Sequence, residues 1–156
     1  MPKGSGVDAD AGARRFAAGG RAADFLGGLR RGHGGTIARV PAPLSLPVTY
    51  QFSRACPSHE EGLQVLREAS RASGVALEVE VVEVLDDEAA ARLGFPGSPT
   101  YLAAGRDLFP REEHGALPMV DACRAYARPG GRVGPLPHVD DLAAALREAA
   151  RGAVPA

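Results

Sequence analysis

The stretch Val48-Thr49-Tyr50-Gln51-Phe52-Ser53-Arg54-Ala55-Cys56-Pro57-Ser58-His59 decides how the chain reads, together with Gly97-Ser98-Pro99-Thr100 further on. Val48 to Ser53 is a short run rich in β-branched and aromatic residues, which reads as a strand. A helical pattern begins behind Cys56-Pro57-Ser58-His59, so a cysteine stands where a strand gives way to a helix start. Unpaired N–H groups and the helix dipole at such a point favour a thiolate over a thiol. Pro57 suits a first helical turn, where its missing N–H costs nothing. The expectation is a partly exposed, reactive Cys56 sulfur in electropositive surroundings.

Outward from this stretch, Leu63, Leu66, Ala69 and Ser70 fall on one face of a helix from Ser58 to about Ser73. Glu60 and Glu61 occupy its first turn, where carboxylates suit the dipole, and Gly74 supplies the stop. Leu77-Glu78-Val79-Glu80-Val81 alternates with period two and runs on through Val82-Glu83-Val84-Leu85, which predicts a second strand with one well-buried face. Asp86 or Asp87 caps a short helix through Leu93, closed by Gly94. Thr100 to Ala103 reads as a short strand, with a turn at Gly105-Arg106-Asp107, and Arg111 to Pro118 as a polar loop. Val120 to Ala127 is predicted as the next strand, turning at Pro129-Gly130-Gly131. A last helix covers about Val139 to Arg151, with Leu142, Ala145, Leu146 and Ala149 inward. The order βαβαββα predicts an α/β fold, a small mixed sheet flanked by helices.

Residues 1–46 have a different texture, rich in Gly, Ala and Arg and ending in the cluster Pro41, Pro43, Pro47. Phe16, Phe25, Leu26 and Leu29 hint at an amphipathic helix, but Gly19-Gly20 and Gly27-Gly28 interrupt it at ~1 kcal/mol per interior glycine. This part is expected to be a flexible arm, locally basic through Arg14, Arg15, Arg21, Arg30 and Arg31, ahead of a domain at 47–152 and a tail at 153–156. Asp8, Asp10 and Asp24 are unwelcome in an organelle transit segment. Gly32-His33-Gly34-Gly35 has no preceding strand and no following lysine, so it is no phosphate loop.

The totals exclude several classes. With 156 residues the chain holds one domain and a tail, and its net charge of −1 argues against a nucleic-acid partner. No apolar run approaches the ~20 residues that span a bilayer, and no secretory pattern opens the chain. No membrane partner is expected, and a cytoplasmic setting is. Two cysteines make no disulfide framework. They remain open to a redox pair, a metal pair or two small buried hydrophobes.

Cys-Pro-x-x at the first helix and Gly-Ser-Pro-Thr before the third strand, in this order of elements, resemble the thioredoxin superfamily over residues 48 to 152. More narrowly, Leu93-Gly94-Phe95-x-Gly97-Ser98-Pro99-Thr100, Gly105-Arg106-Asp107-Leu108-Phe109 and Cys123-Arg124-x-Tyr126 resemble small bacterial thioredoxin-like proteins, some of them labelled alkylmercury lyase-like. The resemblance implies a thioredoxin-like fold, a cis-proline at Pro99 lying against the reactive cysteine, and Ser98 facing a bound substrate strand. Pro57, Ser98, Pro99 and Thr100 are the implied substrate-binding residues. The pattern departs at His59, which stands where a second cysteine would complete Cys-x-x-Cys, so the motif cannot close its own disulfide.

Cys56 is the candidate nucleophile of a thiol-based oxidoreductase or monothiol–disulfide exchange protein acting on a protein or small-molecule thiol or disulfide. His59 shares its face and would hold a thiolate or take a proton, or else is an exposed helix residue. Cys123 is a resolving thiol if its Cα comes within about 7 Å of that of Cys56, a second ligand for mercury or another soft metal, or a buried strand cysteine. An organomercurial lyase would use both thiols with Asp121, on the face of Cys123, or Glu60 as proton donor. A redox-inactive binding domain on the same scaffold is the third reading. No cofactor is implied. No resident metal site is expected either, since His33, His114 and His138 lack the spacing of zinc ligands.

Overall fold

The computed structural model of this protein describes residues 14–15, 45–111 and 118–153. Most of the expected arm, with His33, His114 and residues 154–156, lies outside them. The described elements are β1 (Arg14–Arg15), β2 (Leu46–Phe52), α1 (His59–Ser73), β3 (Leu77–Glu83), α2 (Asp87–Leu93), β4 (Thr100–Ala103), β5 (Arg106–Asp107), β6 (Tyr126–Arg128), β7 (Arg132–Gly134) and α3 (Val139–Ala153). They make a mixed α/β architecture. Five strands form one sheet in the order β1-β3-β2-β4-β5, and β6-β7 form a separate hairpin. β2 and β3 run parallel, Val48 opposite Val79, while β4 is antiparallel to β2, Tyr50 opposite Tyr101. Arg14–Arg15 adds an antiparallel edge against Glu80–Val81.

Local chemistry sets the boundaries. Asp86 accepts the Ala89 N–H at 2.7 Å and so caps α2. Gly74 and Gly94 end α1 and α2 in left-handed conformations, φ 72° and 60°. Leu46, Val48 and Tyr50 alternate onto the face of β2 that meets α1 and α3, joining Leu66, Ala69, Tyr101, Leu142 and Leu146 in the main core. Each large apolar side chain buried there contributes roughly 1.5–3 kcal/mol. Val84, Ala89, Ala90 and Phe95 form a smaller second cluster around α2. Among the described residues no helix is long and apolar enough to cross a membrane.

One expected strand is corrected. Val120 to Ala127 is not the fourth strand of the sheet; that place belongs to Arg106–Asp107, folded back on β4 by the turn at Ala104–Gly105. Residues 118–125 run as an irregular strap with a turn closed by Ala122 N–H to Met119 O, and only Tyr126–Arg128 is strand, paired with β7. The physical reason is pairing: the strap makes one isolated parallel bridge, Ser98 to Cys123, where a strand needs a ladder.

Candidate functional site

The site is built where β2 ends. The Cys56 N–H donates to Ser53 O at 3.0 Å and the His59 N–H to Cys56 O at 3.3 Å, so a turn separates the cysteine from α1. Pro57 is exposed in that turn, ahead of the helix and outside its first turn. The turn folds Cys56 inward. Its side chain is 5% exposed, and the thiol donates to Ser98 O at 3.6 Å. Cys123 is exposed. The burial of Cys56 corrects the expected partly exposed sulfur, and the exposure of Cys123 removes its reading as a buried strand cysteine.

His59 is turned toward the main chain of the cysteine. Its Nδ1 lies 2.7 Å from Cys56 O, a contact that requires the proton on Nδ1 because a carbonyl only accepts. The ring stacks on Phe52 with centroids 5.1 Å apart. Two buried tyrosines hold the same helical turn, Tyr50 donating to His59 O and Tyr101 to Gly62 O at 3.0 Å. Burial pushes both phenols above the ordinary tyrosine range, so both remain donors.

Ser98 is the junction of the site, and the Ser98–Pro99 peptide bond is cis. Ser98 Oγ accepts the Ser53 N–H at 3.0 Å, and the Ser98 N–H donates to Ala122 O at 2.8 Å. The Ser98 carbonyl takes the Arg124 N–H at 3.0 Å besides the Cys56 thiol. Pro99 and Thr100 are buried as well. Pro99 O accepts from Tyr126 Oη, and Thr100 is paired with Gln51 in the sheet. Ser98 and Pro99 therefore offer no free main-chain group to a substrate strand.

The sequence pattern gives Arg124 and Tyr126 no role of their own, yet they clamp this loop. Arg124 is 1% exposed; its Nη1 donates to Thr100 Oγ1 at 3.1 Å, and its Nη2 pairs with Asp107 at 2.7 Å and donates to Phe109 O. The guanidinium also lies over the Tyr126 ring, 5.1 Å from its centroid. The signal for them is a charge at an alternating position of the expected strand, which implies a buried partner if that face turns inward. Gly97 has a reason too: at φ 127° it admits no side chain cheaply, and a Cβ there would meet Ala122 O and Arg124 N at 3.1 Å.

The remaining candidates are not gathered here. Asp121 is exposed in the Met119–Ala122 turn, so the strand pleat that would align it with Cys123 is absent. Glu60 is exposed on α1, and His138 accepts the Asp140 N–H at 3.3 Å at the start of α3. Among the described residues no group of three or more His, Cys, Asp or Glu is arranged to hold a metal ion. A cavity of about 590 Å³ lies between Phe109, Arg111, Tyr126, Arg128 and Asp141, and neither Cys56 nor His59 lines it. No family model matches this chain, and no curated protein or solved structure does either.

Proposed function

We propose that this chain is a thioredoxin-like thiol–disulfide exchange protein, with Cys56 as the attacking sulfur and Cys123 as the resolving one. The observation that carries the reading is the convergence of both cysteines on Ser98: the Cys56 thiol donates to its carbonyl and Cys123 is its bridge partner. The sheet order β3-β2-β4-β5, with one parallel and two antiparallel pairings, supports the same fold assignment.

In the proposed cycle the Cys56 thiolate attacks a disulfide R–S–S–R, forming a Cys56–S–S–R bond and releasing one thiolate. The Cys123 thiolate then attacks Cys56 Sγ, forming the internal disulfide and releasing the second. Two protein thiols are oxidised, one disulfide is reduced, and the two thiol protons pass to the released thiolates. His59 acts as a positioning residue through its bond to the Cys56 carbonyl. A soft-metal role would use the same two sulfurs, but the lyase reading loses the strand alignment of Asp121 on which it drew.

The test is mass mapping of both thiols after reduced protein meets a small disulfide. An internal Cys56–Cys123 disulfide is expected. A stable adduct on Cys56 alone leaves monothiol exchange and removes Cys123 from the cycle; two inert sulfurs sink the exchange reading in favour of a binding domain.

A further inference from the structure

Resting on that exchange reading, we infer that the Ala122–Arg124 strap determines specificity, excluding extended polypeptide from Cys56 and leaving low-molecular-weight disulfides that present no main-chain strand as its substrates. Adding a peptide strand to an edge requires a free N–H and a free C=O on that edge. Ser98, whose carbonyl receives the Cys56 thiol, has neither: its N–H is used by Ala122 O at 2.8 Å and its C=O by the Arg124 N–H at 3.0 Å. The chain itself fills the position, in parallel register, with Cys123 opposite Ser98.

The strap is fastened at both ends. Arg124 is buried and tied to Thr100, Asp107 and Phe109. At the other end the Val120 N–H donates to Asp87 Oδ1 at 2.8 Å. Gly97 allows the close approach between these ends. A docking peptide must break both main-chain bonds of Ser98 to make its own. A small disulfide needs only a line of approach to the sulfur and leaves those bonds in place.

The experiment compares rates of Cys56 oxidation, counted by mass mapping as mixed and internal disulfide together, for 2-hydroxyethyl disulfide and for the disulfide dimer of a short cysteine-containing peptide. Each ratio is normalised to that of an unstructured cysteine peptide. The full chain is expected to disfavour the peptide by about tenfold or more beyond the unstructured control, the scale of two lost hydrogen bonds. Asp87→Ala, which releases the exposed end of the strap, and Gly97→Ala, which crowds it off Ser98, should each move the ratio several-fold toward the control. If Gly97→Ala does not fold, the wild-type ratio and Asp87→Ala still decide. Slow hydrogen exchange at the Ser98 amide of the reduced protein is expected. A wild-type ratio equal to the control overturns the inference while leaving thiol exchange standing. Formation of neither a Cys56 adduct nor a Cys56–Cys123 disulfide from either reagent overturns the exchange reading itself, and the inference with it.

Discussion

Gly62→Ala tests how tightly the cysteine-bearing end of the fold is held. A methyl at Gly62 would lie 2.5 Å from Tyr50 Oη, 3.0 Å from Pro99 Cγ and 3.1 Å from Tyr101 Oη, all inside the ~3.5 Å at which non-bonded atoms ordinarily meet. Neither hydroxyl retreats freely: each donates to a carbonyl of α1, and the Tyr50 ring is held between Phe52 and Tyr101, with centroids 6.0 and 5.4 Å away. Overpacking of this kind costs ~1–3 kcal/mol, and crowding from three sides puts it near the top of that range. Alanine returns ~1 kcal/mol of helix propensity, so the net loss is about 2 kcal/mol. Tyr50→Phe alone loses one hydrogen bond, about 1 kcal/mol. It also removes the nearest obstacle, so the double variant should be more stable than the sum of the singles predicts by about 1 kcal/mol. Denaturant unfolding of the four proteins at equal m-value measures this. Additivity within about 0.5 kcal/mol, or a Gly62→Ala protein more stable than wild type, refutes the packing argument.

The chain has three tyrosines and no tryptophan, and all three tyrosines are buried with phenols raised by desolvation above their usual value near 10. Above that pH the unfolded chain sheds protons that the folded chain keeps. The tyrosines' contribution to stability is therefore fully present below about pH 10 and lost as pH rises through the raised folded values, at ~1.4 kcal/mol per pH unit for each. Tyrosinate absorbance should appear together with the loss of secondary structure; a separate titration near pH 10 with the fold intact refutes it. Arg124→Met strands Asp107 and deletes the bonds to Thr100 and Phe109. Because Asp107 keeps some access to water, a loss of about 3 kcal/mol is expected, and less than about 1 kcal/mol by denaturant unfolding would show that the clamp is not structural.

Much of the fold was legible because its signals are local. Gly74 and Gly94 end helices in the left-handed conformation that glycine tolerates, and Asp86 caps α2. The strand at Leu77 is present too, but Leu77, Val79 and Val81 are half-buried against the core and do not make the well-buried face expected. Strand pairing was legible only in part. Arg106–Asp107 is two residues long and carries no periodic signal, whereas Ala122, Arg124 and Tyr126 alternate with exposed Asp121, Cys123 and Ala127. That alternation reports burial, and it shows on a strap as well as on a strand, so sequence pattern alone could not tell a ladder from a single bridge. The exposures of Cys56 and Cys123 are a different case, set by contacts with Ser98 made across the fold. No window around either cysteine contains that information.

The two ends of the strap bear on how the proposed cycle would work. A disulfide demands a narrow Cα separation and a defined S–S torsion, so a resolving thiol must be held near its target and still be able to turn. Cys123 adjoins Arg124, whose buried guanidinium leaves its end of the strap little freedom. On the other side the strap reaches Val120, tied to Asp87 by one exposed hydrogen bond, through a turn and not a ladder. Exposed hydrogen bonds of this kind open at low cost compared with buried ones. Once a mixed disulfide has formed on Cys56, breaking the Val120 bond and then the buried Ser98–Ala122 bond while Arg124 stays seated would let Cys123 pivot about a fixed neighbour toward Cys56. The buried arginine is therefore compatible with a moving cysteine: it confines the motion to the residues on one side of it, and those residues include Cys123.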